Sequence, residues 1–248
     1  FEAGRSYGAI IQAMFSGVDS FALMAIPFFI VAGDIMLKGG VSKRLINFAK
    51  KLIGWTNGGL PITGVISSMF FAALSGSSPA TVAAIGGIMI PSMEEAKYEK
   101  RFSVGLMCAA GSLGIIIPPS ITLLVYGVIS EQSIAQLFLA GIMPGILIGL
   151  VLMVAAYVIS RKQPYQKEPF PKFREVIHSL RSSFWGLMMP IIVLGGIYLG
   201  VFTPTESAAV AVVYSLVVSL FVYKELKLSE VLAIARKSVT ISAVIMFI

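Results

Sequence analysis

Two short stretches hold residue types that could build a binding site without any ionisable side chain. Ser75-Gly76-Ser77-Ser78-Pro79-Ala80-Thr81 groups three serines around a glycine and places Thr81 one turn further on. Pro79 suits the first turn of a helix, where no amide bond is lost. In Gly114-Ile115-Ile116-Ile117-Pro118-Pro119-Ser120 the adjacent prolines remove two amide donors, so the carbonyls of Gly114 and Ile115 lose their helical partners. Each stretch interrupts an apolar run. Half-helix N-termini attract anions, and carbonyls freed at half-helix C-termini coordinate cations. Uncharged, oxygen-rich surroundings suit Na⁺. A packing role is the alternative, since Pro and Gly are tolerated in membrane helices and Ser and Thr pack between them. Two breaks of this composition, one inside a short hairpin, favour the binding site.

Other polar residues offer less. Asp34 reads as an interfacial or helix-paired carboxylate, with a proton or cation site as the alternative. Glu206, after Thr203-Pro204, is placed to cap the following helix, with contact to an external partner as the alternative. His178 falls in a basic segment and reads as solvated, and the 12 Met residues read as packing residues. The sequence has no G-x-x-x-x-G-K-[ST] loop, no H-E-x-x-H and no Cys/His cluster, so ATP hydrolysis and zinc chemistry lack their residues. Ser75-Gly76-Ser77 has no His partner within the apolar segments and is not a nucleophile elbow. The chain reads as a non-enzyme with no cofactor.

The elements that must position these breaks follow from composition. Of 248 residues, 57% are apolar and 12% charged, and the mean hydropathy is +0.90. That is too little polar surface for a water-soluble domain, and the long apolar runs exclude a transmembrane barrel, whose strands alternate. Disordered, collagenous and disulfide-scaffold classes are excluded as well, and Cys108 is the only cysteine. The expected class is an all-α polytopic membrane protein. An outer segment and first span cover 1–37. Residues 38–59 form an amphipathic helix with Val41, Leu45, Phe48 and Leu52 on one stripe opposite basic positions, the pattern of a helix lying at the cytoplasmic interface. Residues 60–129 hold the two breaks, with 60–93 as a hairpin and 104–129 as a broken helix. In 60–93 each half has about 13 to 15 residues, ~20 Å of helix, and neither half spans alone. Residues 130–223 include a short surface segment at 130–140, spans at 141–160, 184–201 and 207–223, and a loop at 161–183 broken by Pro164, Pro169 and Pro171. Residues 224–248 start a further unit. The start at Phe1 and the stop within an apolar run mark a fragment of a longer chain.

Charge decides how 60–93 crosses. If it is re-entrant, segments 38–59, 94–103, 161–183 and 224–237 share one side and carry 18 of the 19 Lys and Arg residues, leaving Arg5 opposite. If it spans, the five basic residues of 38–59 fall opposite the later loops. The positive-inside tendency favours a hairpin with both ends in the cytoplasm. It also explains the net charge of +7 without invoking nucleic acid.

On these residues the chain resembles the large membrane (permease) subunit of TRAP transporters, the tripartite ATP-independent periplasmic transporters. The resemblance runs through Leu23-Met-Ala-Ile-Pro-Phe-Phe-Ile-Val-Ala-Gly33, Gly39-Gly-Val-Ser-Lys-Arg44, Phe71-Ala-Ala-Leu-Ser-Gly-Ser-Ser-Pro-Ala-Thr81, Gly114-Ile-Ile-Ile-Pro-Pro-Ser120, Tyr126-Gly127, Leu137-Phe-Leu-Ala-Gly-Ile-Met-Pro-Gly145 and Phe202-Thr-Pro-Thr-Glu206. It implies a sodium-driven elevator-type importer of an organic acid in a bacterial or archaeal inner membrane. The implied partners are a small membrane subunit and a periplasmic substrate-binding protein. It also implies a sodium site at Ser75, Ser78, Gly114, Ile117 and Pro119, with Ser77, Thr81 and Ser120 on the substrate side. The family's large subunit has two inverted repeats, and this chain stops before the second hairpin and second sodium site. One sodium site and half the substrate site are therefore expected here. The alternatives are a sodium/carboxylate symporter that needs no binding protein, and a non-transporting structural membrane subunit. The particular acid and the oligomeric state are not readable from the residues.

Overall fold

The computed structural model describes residues 20–161 and 169–247, together with Gly8 and Gln12. Arg5 and Pro164 lie outside the described residues, as does nearly all of the expected outer segment. Among the described residues every regular element is helical. The order is α1 (Ala25–Lys38, after a 3-10 turn at Phe21–Met24), α2 (Val41–Ile53), α3 (Gly59–Ser75), α4 (Ser78–Thr81) and α5 (Gly87–Glu95). These are followed by α6 (Lys100–Gly111), α7 (Ile121–Ile129), α8 (Ile134–Ser160), α9 (Phe173–Tyr198), α10 (Pro204–Val217) and α11 (Leu228–Phe247). A π turn at Val82–Gly86 joins α4 to α5, and another at Val218–Val222 extends α10. Among the described residues, four stretches are long and apolar enough to cross a membrane: Phe21–Lys38, Ile134–Ser160, Phe173–Tyr198 and Pro204–Val222.

In α8 the packing is inverted relative to a helix of a water-soluble bundle, as a lipid solvent favours. Along α8 the buried residues are Phe138 and small ones, including Gly141, Gly145, Gly149 and Ala156. Its exposed face carries Leu139, Met143, Leu147, Leu150, Val151 and Val154. Small residues every fourth position let neighbouring backbone approach closely. A Cβ on Gly141 would lie 2.5 Å from the Ile116 carbonyl oxygen, and one on Gly145 would lie 2.6 Å from Ile117 Cγ1. The α8 seam is thus the seat on which the second break rests. A buried core of Phe29, Met36, Leu45, Phe71, Leu74, Met89 and Met107 ties α1, α2, α3, α5 and α6 together.

Helix α2 buries Val41, Leu45 and Phe48 against α3 and α9, while Leu52 at the end of that stripe is exposed. Its apolar face is therefore covered largely by protein. Arg44 anchors this end of the bundle. Its guanidinium pairs with Glu225 at 2.6 Å and lies 3.9 Å from the centre of the Tyr223 ring, and its carbonyl accepts from Ser183 Oγ at 2.8 Å. Lys51 reaches Glu175 at 2.6 Å. The basic segments of α2, the start of α9 and the α10–α11 link therefore meet at one end.

Several expected boundaries differ. The segment at 130–140 is mostly helix: Ser133 caps α8, accepting from the Gln136 amide at 3.4 Å, and the helix starts at Ile134. The loop at 161–183 ends early, because Pro169 and Pro171 both precede Phe173 and leave α9 free to begin there. Arg174, His178 and Arg181 consequently stand on a helix, with His178 exposed. The hairpin arms are also longer than ~20 Å. α3 has 17 residues, about 25 Å, and the second arm stays helical to Glu95.

Candidate functional site

The two breaks meet. Helix α3 ends at Ser75, and Gly76 turns the chain at φ +59, a left-handed conformation that glycine adopts without penalty. The second arm then starts with Pro79 in its first turn. On the facing segment, α6 tightens into a 3-10 turn at Ser112–Ile115, and residues 116–120 leave helical geometry with a cis Pro118–Pro119 peptide. The Ile121 amide donates to the Gly76 carbonyl at 3.2 Å, so the hairpin tip closes the N-terminus of α7. A Cβ on Gly114 would lie 2.5 Å from the Ser77 carbonyl oxygen and 2.8 Å from Thr81 Oγ1. A Cβ on Gly76 would lie 2.7 Å from the Pro119 carbonyl oxygen. Glycine at both positions is what allows backbone-to-backbone contact.

The polar groups divide into two sets. Thr81 and Ser120, expected on the substrate side, are fully buried and do not line the adjoining cavity. Thr81 Oγ1 donates to the Ser77 carbonyl at 2.9 Å and lies 3.0 Å from Ser75 Oγ. Ser120 Oγ donates to the Ile115 carbonyl at 2.8 Å and accepts from the Leu123 amide at 3.3 Å. It thereby recovers one of the carbonyls that the prolines orphan. Ser77, also expected on the substrate side, does line a cavity of about 550 Å³, together with Ser75 and Ser78 from the sodium set. Gly114, Ile117 and Pro119 do not line the cavity: Gly114 backs onto Ser77 and the Pro119 oxygen onto Gly76, whereas the Ile117 side chain packs on Gly145 of α8. The carbonyls of Ile117 and Pro119 accept no hydrogen bond among the described residues. Of the two, the Pro119 oxygen is the one placed against the hairpin tip, beside Gly76. Among the described residues no three His, Cys, Asp or Glu side chains converge, so a transition-metal centre has no ligand set there.

The opposite cavity wall comes from residues that sequence reasoning did not assign to the site. Gly33 of α1 brings its backbone onto Ser75, its hypothetical Cβ falling 3.1 Å from Ser75 Cα. One residue on, Asp34 accepts from Ser238 Oγ at 3.2 Å and pairs with Lys237 Nζ at 3.5 Å, with its side chain 12% exposed. Asp34 is thus a helix-paired carboxylate, and Lys237 places a cation on the cavity wall. The four-residue glycine spacing of α8 was a readable signal for the seat under the break. Nothing local could have announced Lys237. At the other end of the molecule, Glu206 forms a capping box with Thr203: the Thr203 amide donates to Glu206 Oε2 at 2.8 Å, and the Glu206 amide donates to Thr203 Oγ1 at 3.3 Å.

Comparisons with known proteins agree on one family. The family model described as "Tripartite ATP-independent periplasmic transporter, DctM component" matches residues 4–248. The chain is 48% identical over 235 residues to the C4-dicarboxylate TRAP transporter large permease protein DctM of Pseudomonas aeruginosa, covering 95% of this chain and 55% of that protein. It is 48% identical over 218 residues to the isethionate TRAP transporter permease protein DctMQ of Oleidesulfovibrio alaskensis, covering 88% of this chain and 34% of that protein. It is 41% identical over 234 residues to the sialic acid TRAP transporter large permease protein SiaM of Vibrio cholerae, covering 94% and 55%. The chain spans about half the length of the large-permease relatives it matches. With apolar spans, interlocked helix breaks and a family match over nearly its whole length, this chain belongs to the DctM component, the large permease, of the tripartite ATP-independent periplasmic transporters.

Proposed function

We propose that this chain is the first half of a sodium-coupled TRAP permease subunit that imports a small organic acid across a bacterial inner membrane. The observation that carries the reading is the contact between hairpin tip and helix break at Gly114–Ser77 and Gly76–Pro119, beside a cavity of about 550 Å³. A cation held by Ser75, Ser78 and the carbonyls of Gly114, Ile117 and Pro119 would bridge tip and break. It would thereby hold the serines of the tip in place along the cavity. An anion entering the cavity meets half-helix ends and the Lys237 ammonium. Because each ligand favours the closed tip, each strengthens binding of the other by the same factor.

The relatives named for C4-dicarboxylate, isethionate and sialic acid support the reading of an acid as substrate; its delivery by a periplasmic binding protein to a complex with a small membrane subunit is part of the same proposal. The second repeat would supply the rest of the site. The end at which Arg44, Lys51, Glu175 and Glu225 meet is the cytoplasmic one, and both hairpin ends face it. The test uses the full-length protein with its small subunit. Thermal stability is measured in Na⁺ and in K⁺ at equal ionic strength, and uptake of C4-dicarboxylates, sulfonates and sialic acids is measured in proteoliposomes with the binding protein. Stabilisation by Na⁺ that is lost on replacing Ser78 with a bulky residue is expected. Equal stability in both salts would refute the cation site.

A further inference from the structure

Among the described residues, Asp34 and Lys237 are the only charged side chains on the wall of the cavity beside the hairpin tip. Asp34 belongs to the apolar stretch Phe21–Lys38. Ionisable groups inside such stretches pair with one another and mark the paths of solutes. The two partners are held differently. The Asp34 side chain is 12% exposed and that of Lys237 66% exposed. Asp34 has a second donor on the same helix α11, Ser238 Oγ at 3.2 Å, so its carboxylate stays bonded when the ammonium leaves. Lys237 carries its charge on a flexible four-carbon stem. Its Nζ stands 3.5 Å from Asp34 Oδ2. A tight charge-assisted bond is about 2.7–2.9 Å long, and Arg44–Glu225 and Lys51–Glu175 both close to 2.6 Å.

A loosely held, exposed ammonium beside a fixed carboxylate discriminates by charge. A neutral solute gives Lys237 no counter-ion, so the lysine stays with Asp34. An anionic solute replaces the carboxylate, and the exchange leaves Asp34 with its hydroxyl donor and Lys237 with a new partner. Asp34 and the solute then compete for one ammonium. The exchange also takes place next to the tip: Gly33, the neighbour of Asp34, backs onto Ser75, its hypothetical Cβ falling 3.1 Å from Ser75 Cα.

We propose that Lys237 takes the acid group of the transported solute by exchange from Asp34, and that Asp34 is a positioning residue whose competition sets the affinity and charge selectivity of the cavity. The proposal rests on the acid-import reading above and adds an internal competitor to it. The test uses the full-length protein with its small subunit in detergent at saturating Na⁺. It is titrated with succinate, isethionate, sialic acid and the neutral succinamide, and thermal stabilisation relative to each variant's own baseline gives the apparent affinity. Succinamide is expected to have no effect. Asp34→Asn keeps an acceptor for Ser238 and removes the competitor. The acid that stabilises the wild type should therefore bind about two- to fivefold more tightly, the worth of a partly exposed ion pair. Lys237→Gln should weaken it roughly tenfold or more, as loss of a charged hydrogen bond does, and Lys237→Arg should keep most of the affinity. Arg236→Gln, at an exposed position of α11 outside the cavity, should leave it unchanged. A pair that only pins α11 to α1 predicts no gain of affinity in Asp34→Asn. Absence of that gain, undiminished binding in Lys237→Gln, or equal binding of succinamide and succinate would overturn the exchange while leaving the import reading in place. A wild type that none of the three acids stabilises would overturn both.

Discussion

Gly114→Ala is the sharpest perturbation of the tip–break contact. The added Cβ would stand 2.5 Å from the Ser77 oxygen, 2.7 Å from the Ser77 carbonyl carbon and 2.8 Å from Thr81 Oγ1. Ordinary contact begins near 3.4 Å, so the tip must retreat by roughly 0.9 Å. Two of the three atoms are backbone, and no side chain can swing aside to absorb the clash. Overpacking of this kind costs about 1–3 kcal/mol. The cost falls on the closed arrangement, in which tip and break touch, and is relieved when they part. A sodium ion that needs both partners must supply this free energy on binding. Its half-saturating concentration should therefore rise roughly 5- to 140-fold, at about 1.4 kcal/mol per factor of ten. The assay is Na⁺-dependent thermal stabilisation of the full-length protein with its small subunit, followed by the Na⁺ dependence of uptake in proteoliposomes. Gly105→Ala is the control, since a Cβ there meets nothing within 4 Å and alanine improves helix propensity in α6. Unaltered sodium dependence in Gly114→Ala, with the control also unchanged, would refute the argument that tip–break contact creates the cation site.

Five other substitutions separate local roles. Thr81→Val removes the 2.9 Å donor to the Ser77 carbonyl and the partner of Ser75, and should lower stability by about 1–2 kcal/mol. Ser75→Ala leaves the Thr81–Ser77 bond intact and should cost less; the reverse order of melting temperatures would contradict the hydrogen-bond assignment. Lys237→Met leaves the Asp34 carboxylate with Ser238 as its only described partner, whereas Asp34→Asn leaves a lysine whose side chain is 66% exposed. The lysine variant should therefore melt lower, by a difference of about 1 kcal/mol or more, and equal melting points would deny the pair a structural role. Thr203→Val breaks the capping box at the start of α10 and should cost roughly 1 kcal/mol in denaturation without changing the sodium response. A shifted sodium response would link that turn to the site.

Polytopic helical architecture was legible because it depends on composition and run length, which are local quantities. The breaks at 75–81 and 114–120 were legible for a related reason: Gly and paired Pro disrupt helices through their own backbone chemistry, whatever surrounds them. The cap at Thr203–Glu206 is likewise a short-range arrangement. Boundaries were read less well at 130–140 and 161–183. There polar residues such as Gln136 suggest a surface segment and Arg174 and His178 a loop, though a helix end outside the apolar core tolerates them and α8 and α9 run through them.

The side-chain partition at the site came from long-range geometry. Ser77 and Thr81 stand one turn apart, yet the first lines the cavity and the second is sealed against Gly114, because the broken segment approaches from only one side. Ser120 was spent on capping α7 and holding the Ile115 carbonyl, which depends on how the chain leaves the two prolines. Lys237, about 200 residues from Asp34 in the chain, joins it only because α11 packs on α1. Residue type and spacing determine where this chain must break and what solvent it needs. Which oxygens stay uncommitted and which charges face the cavity depends on contacts between segments remote in sequence, where a one-ångström difference at Gly114 decides whether tip and break can touch.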